Sequence, residues 1–171
     1  MDAVEIVIGF EETFDVSIPD SAVEHWFTPH DCIEGLVKLL GAETAFAPCP
    51  TQRCYHRIRS ALGDMGLLKQ NRLSLSETPQ QFLGSLLSRD FWERLSVFSA
   101  LPEIQSCRQR KQGTWRDVVE DATIRDFASL RRRSEPWTRH WIRYGVLGSV
   151  SDFFGRIVSD HDRFIEDLGM D

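Results

Sequence analysis

Phe164-Ile-Glu-Asp-Leu-Gly-Met-Asp171, at the end of the chain, and Met1-Asp-Ala-Val-Glu-Ile-Val-Ile-Gly-Phe-Glu-Glu-Thr-Phe-Asp-Val-Ser-Ile-Pro-Asp20, at its beginning, decide how this sequence is read. From Asp2 to Phe14 the apolar residues Val4, Ile6, Val7, Ile8, Phe10 and Phe14 form a broad helical stripe, while Asp2, Glu5, Glu11 and Glu12 take the remaining surface. That pattern predicts an amphipathic helix with an acidic rim. Pro19 cannot continue the hydrogen-bond ladder and biases Ile18 towards an extended backbone, so a loop follows. Asp20 or Ser21 caps a short turn through Glu24. Thr28-Pro-His-Asp31 combines a capping hydroxyl, Pro at the first helical position and an acid in the first turn, which predicts a helix to about Leu40 that Gly41 stops.

Further along, Ala45-Phe-Ala-Pro-Cys-Pro50 reads as a linker. Gln52 to Leu62 reads as a helix with Tyr55, Ile58 and Leu62 on one face, followed by a loop from Gly63 to Ser76. Helix starts are expected at Thr78-Pro-Gln-Gln81, at Ser88 and at Thr114, where Asp117 stands as in a capping box. Leu101-Pro102 ends the helix that Ser88 opens. Ser134-Glu-Pro marks another start, and Trp137, Trp141, Tyr144, Val146 and Leu147 make an aromatic-rich packing segment. A last helix is expected from Val150 to Val158, burying Phe153, Phe154 and Ile157.

Charge divides the chain more sharply than composition does. The 171 residues are 42% apolar, with five Trp and eleven Phe, enough to fill a core. Residues 1–47 carry ten acids against one base, 48–151 seventeen bases against ten acids, and 152–171 six acids against two bases. The balances of −9, +7 and −4 make up the whole-chain −6. A basic middle tethered to an acidic module argues against nucleic acid as partner, because the acids compete for the same surface. No apolar run approaches the roughly 20 residues that span a bilayer, and the N-terminus has no signal-peptide pattern, so no membrane partner and a cytoplasmic location are expected. Cys32, Cys49, Cys54 and Cys107 form no C-x-x-C pair and read as reduced packing thiols.

Joined end to end, the two opening segments run through one absent residue. Phe164, Glu166, Asp167, Leu168, Gly169 and Asp171, then Asp2, Val4, Glu5, Glu11, Glu12, Phe14, Asp15, Ile18, Pro19, Asp20, Thr28, Asp31 and Ile33 match in order a known pattern. This composite resembles the acyl carrier protein family, whose hallmark is F-x-E-D-L-G-x-D-S-L-D-x-V-E-L followed by a helix and F-D-x-x-I-P-D. The match covers residues 1–41 and 150–171. The residue missing between Asp171 and Met1 is the serine that bears 4'-phosphopantetheine in that family, and Met1 takes the place of its leucine. The order of the halves also departs from the family, as a circular permutation, an exchange of tails between copies, or a native segment order unlike the written one would produce. The first and last of these put Asp171 and Met1 roughly 7 Å apart.

The resemblance implies an all-α fold: a four-helix bundle of the carrier type assembled from both chain ends, residues 1–47 and 150–171, beside a basic helical module at 48–149. In that bundle, 150–158 resembles the first helix and 160–164 the first loop, pinned by Phe164 and Leu168, with Gly169 permitting the turn into the next helix. It implies that Asp171, Met1 and Asp2 flank the attachment point of 4'-phosphopantetheine, and that Asp2, Val4, Glu5, Val7, Ile8, Glu11 and Glu12 form the face offered to basic surfaces of acyl-chain enzymes or a phosphopantetheinyl transferase. The chain's own basic middle module is a further possible docking surface.

The middle module repeats the order of helix, loop, helix, irregular stretch and capped helix, as a degenerate second copy would. There Ser88-Arg-Asp-Phe-Trp-Glu93 overlays on S-L-D-x-V-E, which makes Ser88 a weak second candidate for the arm, although a helix cap explains the same hydroxyl.

Enzymatic readings find little support. His25, His30, His56, His140 and His161 are scattered, with no Ser or Cys nucleophile beside them in a local signature. The pairs Glu11-Glu12 and Glu166-Asp167 read as surface carboxylates rather than acid–base partners. Gly145, Gly148 and Gly155 lack the spacing of a phosphate loop. The expectation is a non-catalytic carrier of fatty acid or polyketide-type metabolism; the alternative is an unmodified scaffold or adaptor that keeps the fold for protein–protein contact.

Overall fold

The computed structural model describes residues 3–42, 47–68, 72–109 and 113–170. All regular structure among them is helical. In chain order the α-helices are α1 Ala3–Phe14, α2 Asp20–Val23, α3 Pro29–Leu39, α4 Pro50–Asp64, α5 Pro79–Leu83, α6 Arg89–Ser99, α7 Trp115–Arg125, α8 Phe127–Leu130 and α9 Arg139–Phe154, with 3₁₀ segments at Gly84–Leu86 and Pro102–Gln109. The chain forms two compact units, Met1–Ala47 with Arg131–Asp171, and Pro48–Leu130.

The first unit is a four-helix bundle drawn from both ends of the chain. α9 packs against α1 and α3, and α2 against α3. Its core joins Ile6, Phe10 and Phe14 of α1, Ile18, and Cys32, Ile33, Leu36 and Val37 of α3 to Ile142, Val146 and Val150 of α9. Val158 and Phe164 of the tail complete it, with Leu168 packed at its edge. Full burial of a Phe or Leu side chain stabilises by about 1.5–3 kcal/mol, so Phe10, Phe14 and Leu36 make this seam a main source of the unit's stability. Polar ties also join α9 to its neighbours: Arg139 pairs with Glu34 of α3, and Thr13 Oγ1 of α1 lies 3.1 Å from Ser149 Oγ.

Local signals explain the element ends. Thr28 and Asp31 form a capping box at α3, with Pro29 at the first position. Gly41, at φ +60, ends it as expected from the sequence. α1 stops earlier than Pro19 requires. Asp15 takes a left-handed backbone at φ 52, a conformation that Asp tolerates better than most residues, and Val16 N–H reaches back to Glu11 O.

The tail differs from the sequence reading. The segment opened by Ser134 stays irregular, and Thr138 caps a single helix, α9, that runs on through Gly145 and Gly148 to Phe154. The bundle therefore takes in residues 131–149, which the resemblance assigns to the basic module, and its long helix is 139–154 rather than 150–158. Asp2, Met1, Asp171 and residues 45–46 of the 45–50 linker lie outside the described residues.

The second unit packs α4 against α6, α7 and α8, and the Pro102–Gln109 segment against α6 and α7. Cys54, Ile58, Ala61 and Leu62 of α4 are buried. Trp115 sits edge-on to Phe82 at 5.9 Å and 6.3 Å from Trp92. Two of its bases serve the fold: Arg53 donates to Leu130 O at 2.7 Å and Arg57 to Ser129 O at 3.0 Å. They satisfy the orphan carbonyls at the end of short α8.

Candidate functional site

The site expected from the sequence lies where the tail meets α1. After α9, Gly155 turns the chain and residues 159–170 form a self-braced loop. Asp162 accepts from Ser159 N–H at 2.9 Å, Asp167 accepts from Arg163 N–H at 2.8 Å, and Arg163 pairs with Glu166 at 2.9 Å. Arg156 donates to Asp167 O at 2.7 Å. The acids Glu166 and Asp167 are exposed and occupied within this brace.

Two backbone bonds seat the loop on the head of the chain. His30 N–H donates to Asp160 O at 2.8 Å, and Phe164 N–H to Phe27 O at 3.0 Å. Arg143 of α9 holds the Asp160 carboxylate at 2.8 Å. Phe164 is buried, Gly169 adopts φ +72, and Met170 N–H closes the turn onto Phe164 O at 2.8 Å. Only glycine takes that backbone without strain.

This arrangement brings Met170 and Ala3, the residues nearest the flanking Asp171, Met1 and Asp2, to one cavity of about 180 Å³. Its walls are apolar: Val4, Ile6, Val7 and Phe10 from α1, Val23 and Trp26 from the stretch before α3, Cys32, and Phe164 from the tail, with Asp20 as the lone acid. Burial, and secondarily the charge of Asp31, pushes the Cys32 thiol far above its ordinary range, so it behaves as an apolar wall and not as a nucleophile. Burial likewise pushes Cys54 and Cys107 of the second unit up to about 12.

The residues read as a docking face separate into two groups. Glu5, Ile8 and Glu12 are exposed, Ile8 to 48%, and Val4 is exposed to 57% while also reaching the cavity. Val7 is half-buried against the core. Glu11 is spent on the fold: its carboxylate accepts from Ile18 N–H at 2.7 Å and ties the loop after α1 back to the helix. Ser88, on the second unit, is exposed and caps α6 by accepting from Phe91 N–H at 3.2 Å. Among the described residues no group of three or more His, Cys, Asp or Glu is placed to hold a metal, and no helix is long and apolar enough to cross a membrane.

Trp26 escaped the sequence reading. Its signal was Gly35, nine positions on, where a Cβ would lie 2.4 Å from the indole. The ring rests on the α3 backbone and stands edge-on to Phe10 at 6.3 Å.

No protein-family model matches the chain, and no solved structure matches it. Among curated proteins, it is 48% identical over 42 residues to an acyl carrier protein of Phenylobacterium zucineum, covering 25% of this chain and 53% of that one. It is 50% identical over 34 residues to the acyl carrier protein of Caulobacter vibrioides, covering 20% of this chain and 44% of that one. The chain thus spans about half the length of the curated relatives it matches. With the all-helical bundle around it, this chain carries an acyl-carrier-protein-like segment.

Proposed function

We propose that the end-assembled unit is a carrier-type module of fatty acid or polyketide-type metabolism, which holds an acyl group on a 4'-phosphopantetheine arm and presents it to partner enzymes. The observation that carries this reading is the apolar cavity: Met170 and Ala3 line it, next to the place of the motif's attachment residue, and its walls offer an alkyl chain a largely apolar surface to lie against. In this reading the module is cytoplasmic and performs no chemistry itself. Asp2, Glu5, Glu12 and the apolar Val4 and Ile8 meet basic surfaces of acyl-chain enzymes or a phosphopantetheinyl transferase. Exposed ion pairs contribute about 0–1 kcal/mol each, so such docking is transient and salt-sensitive, as a shuttle requires.

A second reading is an adaptor that uses the same face without an arm, favoured by the exposed apolar Val4 and Ile8 standing beside the exposed Glu5 and Glu12. Incubation with coenzyme A and a phosphopantetheinyl transferase, read by intact mass, separates the two. The test compares the chain as it stands with a variant whose ends are joined through a serine and reopened between Ala45 and Phe46. A mass gain confined to the joined variant supports the carrier module; no gain in either leaves the adaptor. Docking of α1 on the chain's own basic middle module is a further element of the proposal. It predicts that added salt speeds hydrogen exchange in residues 3–14, and unchanged exchange counts against it.

A further inference from the structure

One wall of the cavity of the first unit is a tryptophan packed on the α3 backbone. Ala3 and Met170 line the end next to the motif junction, and Phe10 lies seven positions further along α1, about 10 Å at helical rise. Trp26 stands edge-on to Phe10 there. Its indole lies so close over Gly35 that no Cβ fits between them, and Trp26 N–H is bonded to Val23 O at 3.0 Å. One face of the ring is held against α3, so an alkyl chain lying along Val7 from the Met170 end towards Phe10 would meet it.

We infer that Trp26 is the specificity-determining residue for cargo length, limiting the cavity to a medium-length unbranched alkyl chain. The inference rests on the carrier reading above. An apolar cavity of about 150 Å³ accommodates a benzene-sized ligand, so one of about 180 Å³ takes roughly seven carbons. Longer chains leave their excess carbons in water and gain nothing from them. The lining excludes polar cargo, because apart from Asp20 it provides no hydrogen-bonding side chain beyond the Cys32 thiol and the Trp26 indole, and an unpaired buried polar group is costly.

The test titrates the chain as it stands with straight-chain primary alcohols from butanol to dodecanol, by calorimetry. Affinity should rise about four-fold per methylene, reach its limit near heptanol and then level off. In Trp26→Ala the levelling point should move out to decanol or beyond, and in Trp26→Phe by a smaller step. Where Trp26→Ala does not fold, Trp26→Phe, which keeps a ring against Phe10, carries the comparison. Binding that levels at the same alcohol in the wild type and in a folded variant overturns the inference and leaves the carrier reading standing. Absence of binding by every alcohol to the wild type overturns the cavity as a cargo chamber, and both readings fall with it.

Discussion

The Phe164 N–H donates to the carbonyl of Phe27 at 3.0 Å, so one bond stitches the tail loop to the turn that leads into α3. The Phe164 ring is buried beyond that stitch and forms part of the cavity wall. Replacing it with Ala removes the ring and leaves a void, a change that costs about 3–5 kcal/mol. Hydrogen exchange is expected to speed up across α1 and α3 in Phe164→Ala, while α4 and α7 keep their protection. Uniform loss of protection in all four helices contradicts the assignment of Phe164 to the first unit alone.

Neighbouring acids on α1 should behave differently. Glu11→Ala leaves the Ile18 N–H without its charged acceptor and costs about 1–3 kcal/mol, with faster exchange at Ile18. Glu12→Ala, at an exposed position, should stay within about 0.5 kcal/mol. Denaturant titration of the two variants side by side reads the contrast, and equal midpoints would show that the Ile18 bond contributes nothing.

Gly35 is predicted to tolerate no side chain. A Cβ placed there would lie 2.4–2.6 Å from three atoms of the Trp26 ring, so Gly35→Ala must displace the indole or α3. Overpacking of this kind costs about 1–3 kcal/mol, more than the gain in helix propensity from Ala. Thermal melts of the variant should show a lower midpoint, and the same Gly35→Ala change made in a Trp26→Phe background, with a smaller ring to displace, should cost less.

Asp126 predicts a pH dependence for the second unit. Burial pushes its carboxyl from 3.8 up to about 6, partly opposed by the Glu103 N–H that donates to Oδ1 at 3.0 Å; Oδ2 is buried without a hydrogen-bond partner. Between those values the folded protein holds a proton that the unfolded chain has released. Stability attributable to this group is therefore present at low pH and falls as pH rises through about 4 to 6, by an amount on the order of 2 kcal/mol. Asp126→Asn keeps an acceptor for Glu103 and cannot ionise. The difference in unfolding free energy between it and the wild type should grow from pH 4 to pH 6 and level above; a constant difference would refute the shift.

Much of this architecture is legible in the sequence because its helix starts are written locally. Thr28-Pro-His-Asp31, Thr78-Pro-Gln-Gln81 and Ser88 each cap the helix they were expected to open. α9 was misread because its start and its burial are both atypical. Ser134 with Pro136 imitates an N-terminus, but Thr138 is the residue whose hydroxyl accepts from Trp141 N–H. Trp141, Ile142, Tyr144, Gly145, Val146 and Leu147 are then buried in succession, so no polar face reveals the helical period. The resemblance groups the docking acids together, and a sequence match cannot show that Glu11 turns back to Ile18 while Glu12 faces water. The cavity was invisible for a related reason: Trp26 touches Gly35 and Phe10 through tertiary packing, and no repeat in the chain connects those three positions.

Because α1 and α3 precede α9 in the chain by about a hundred residues, the order of synthesis sets the order of folding. The segment 48–130 has its partners within itself and can close while the ribosome is still adding residues. The α1–α3 segment must wait with Phe10, Phe14 and Leu36 uncovered until α9 and Phe164 arrive, across an interval whose closure costs only a few kcal/mol of entropy but slows the search. A nascent chain stalled before Arg139 should therefore be captured by holdase chaperones through its N-terminal segment, and be released once the tail has emerged.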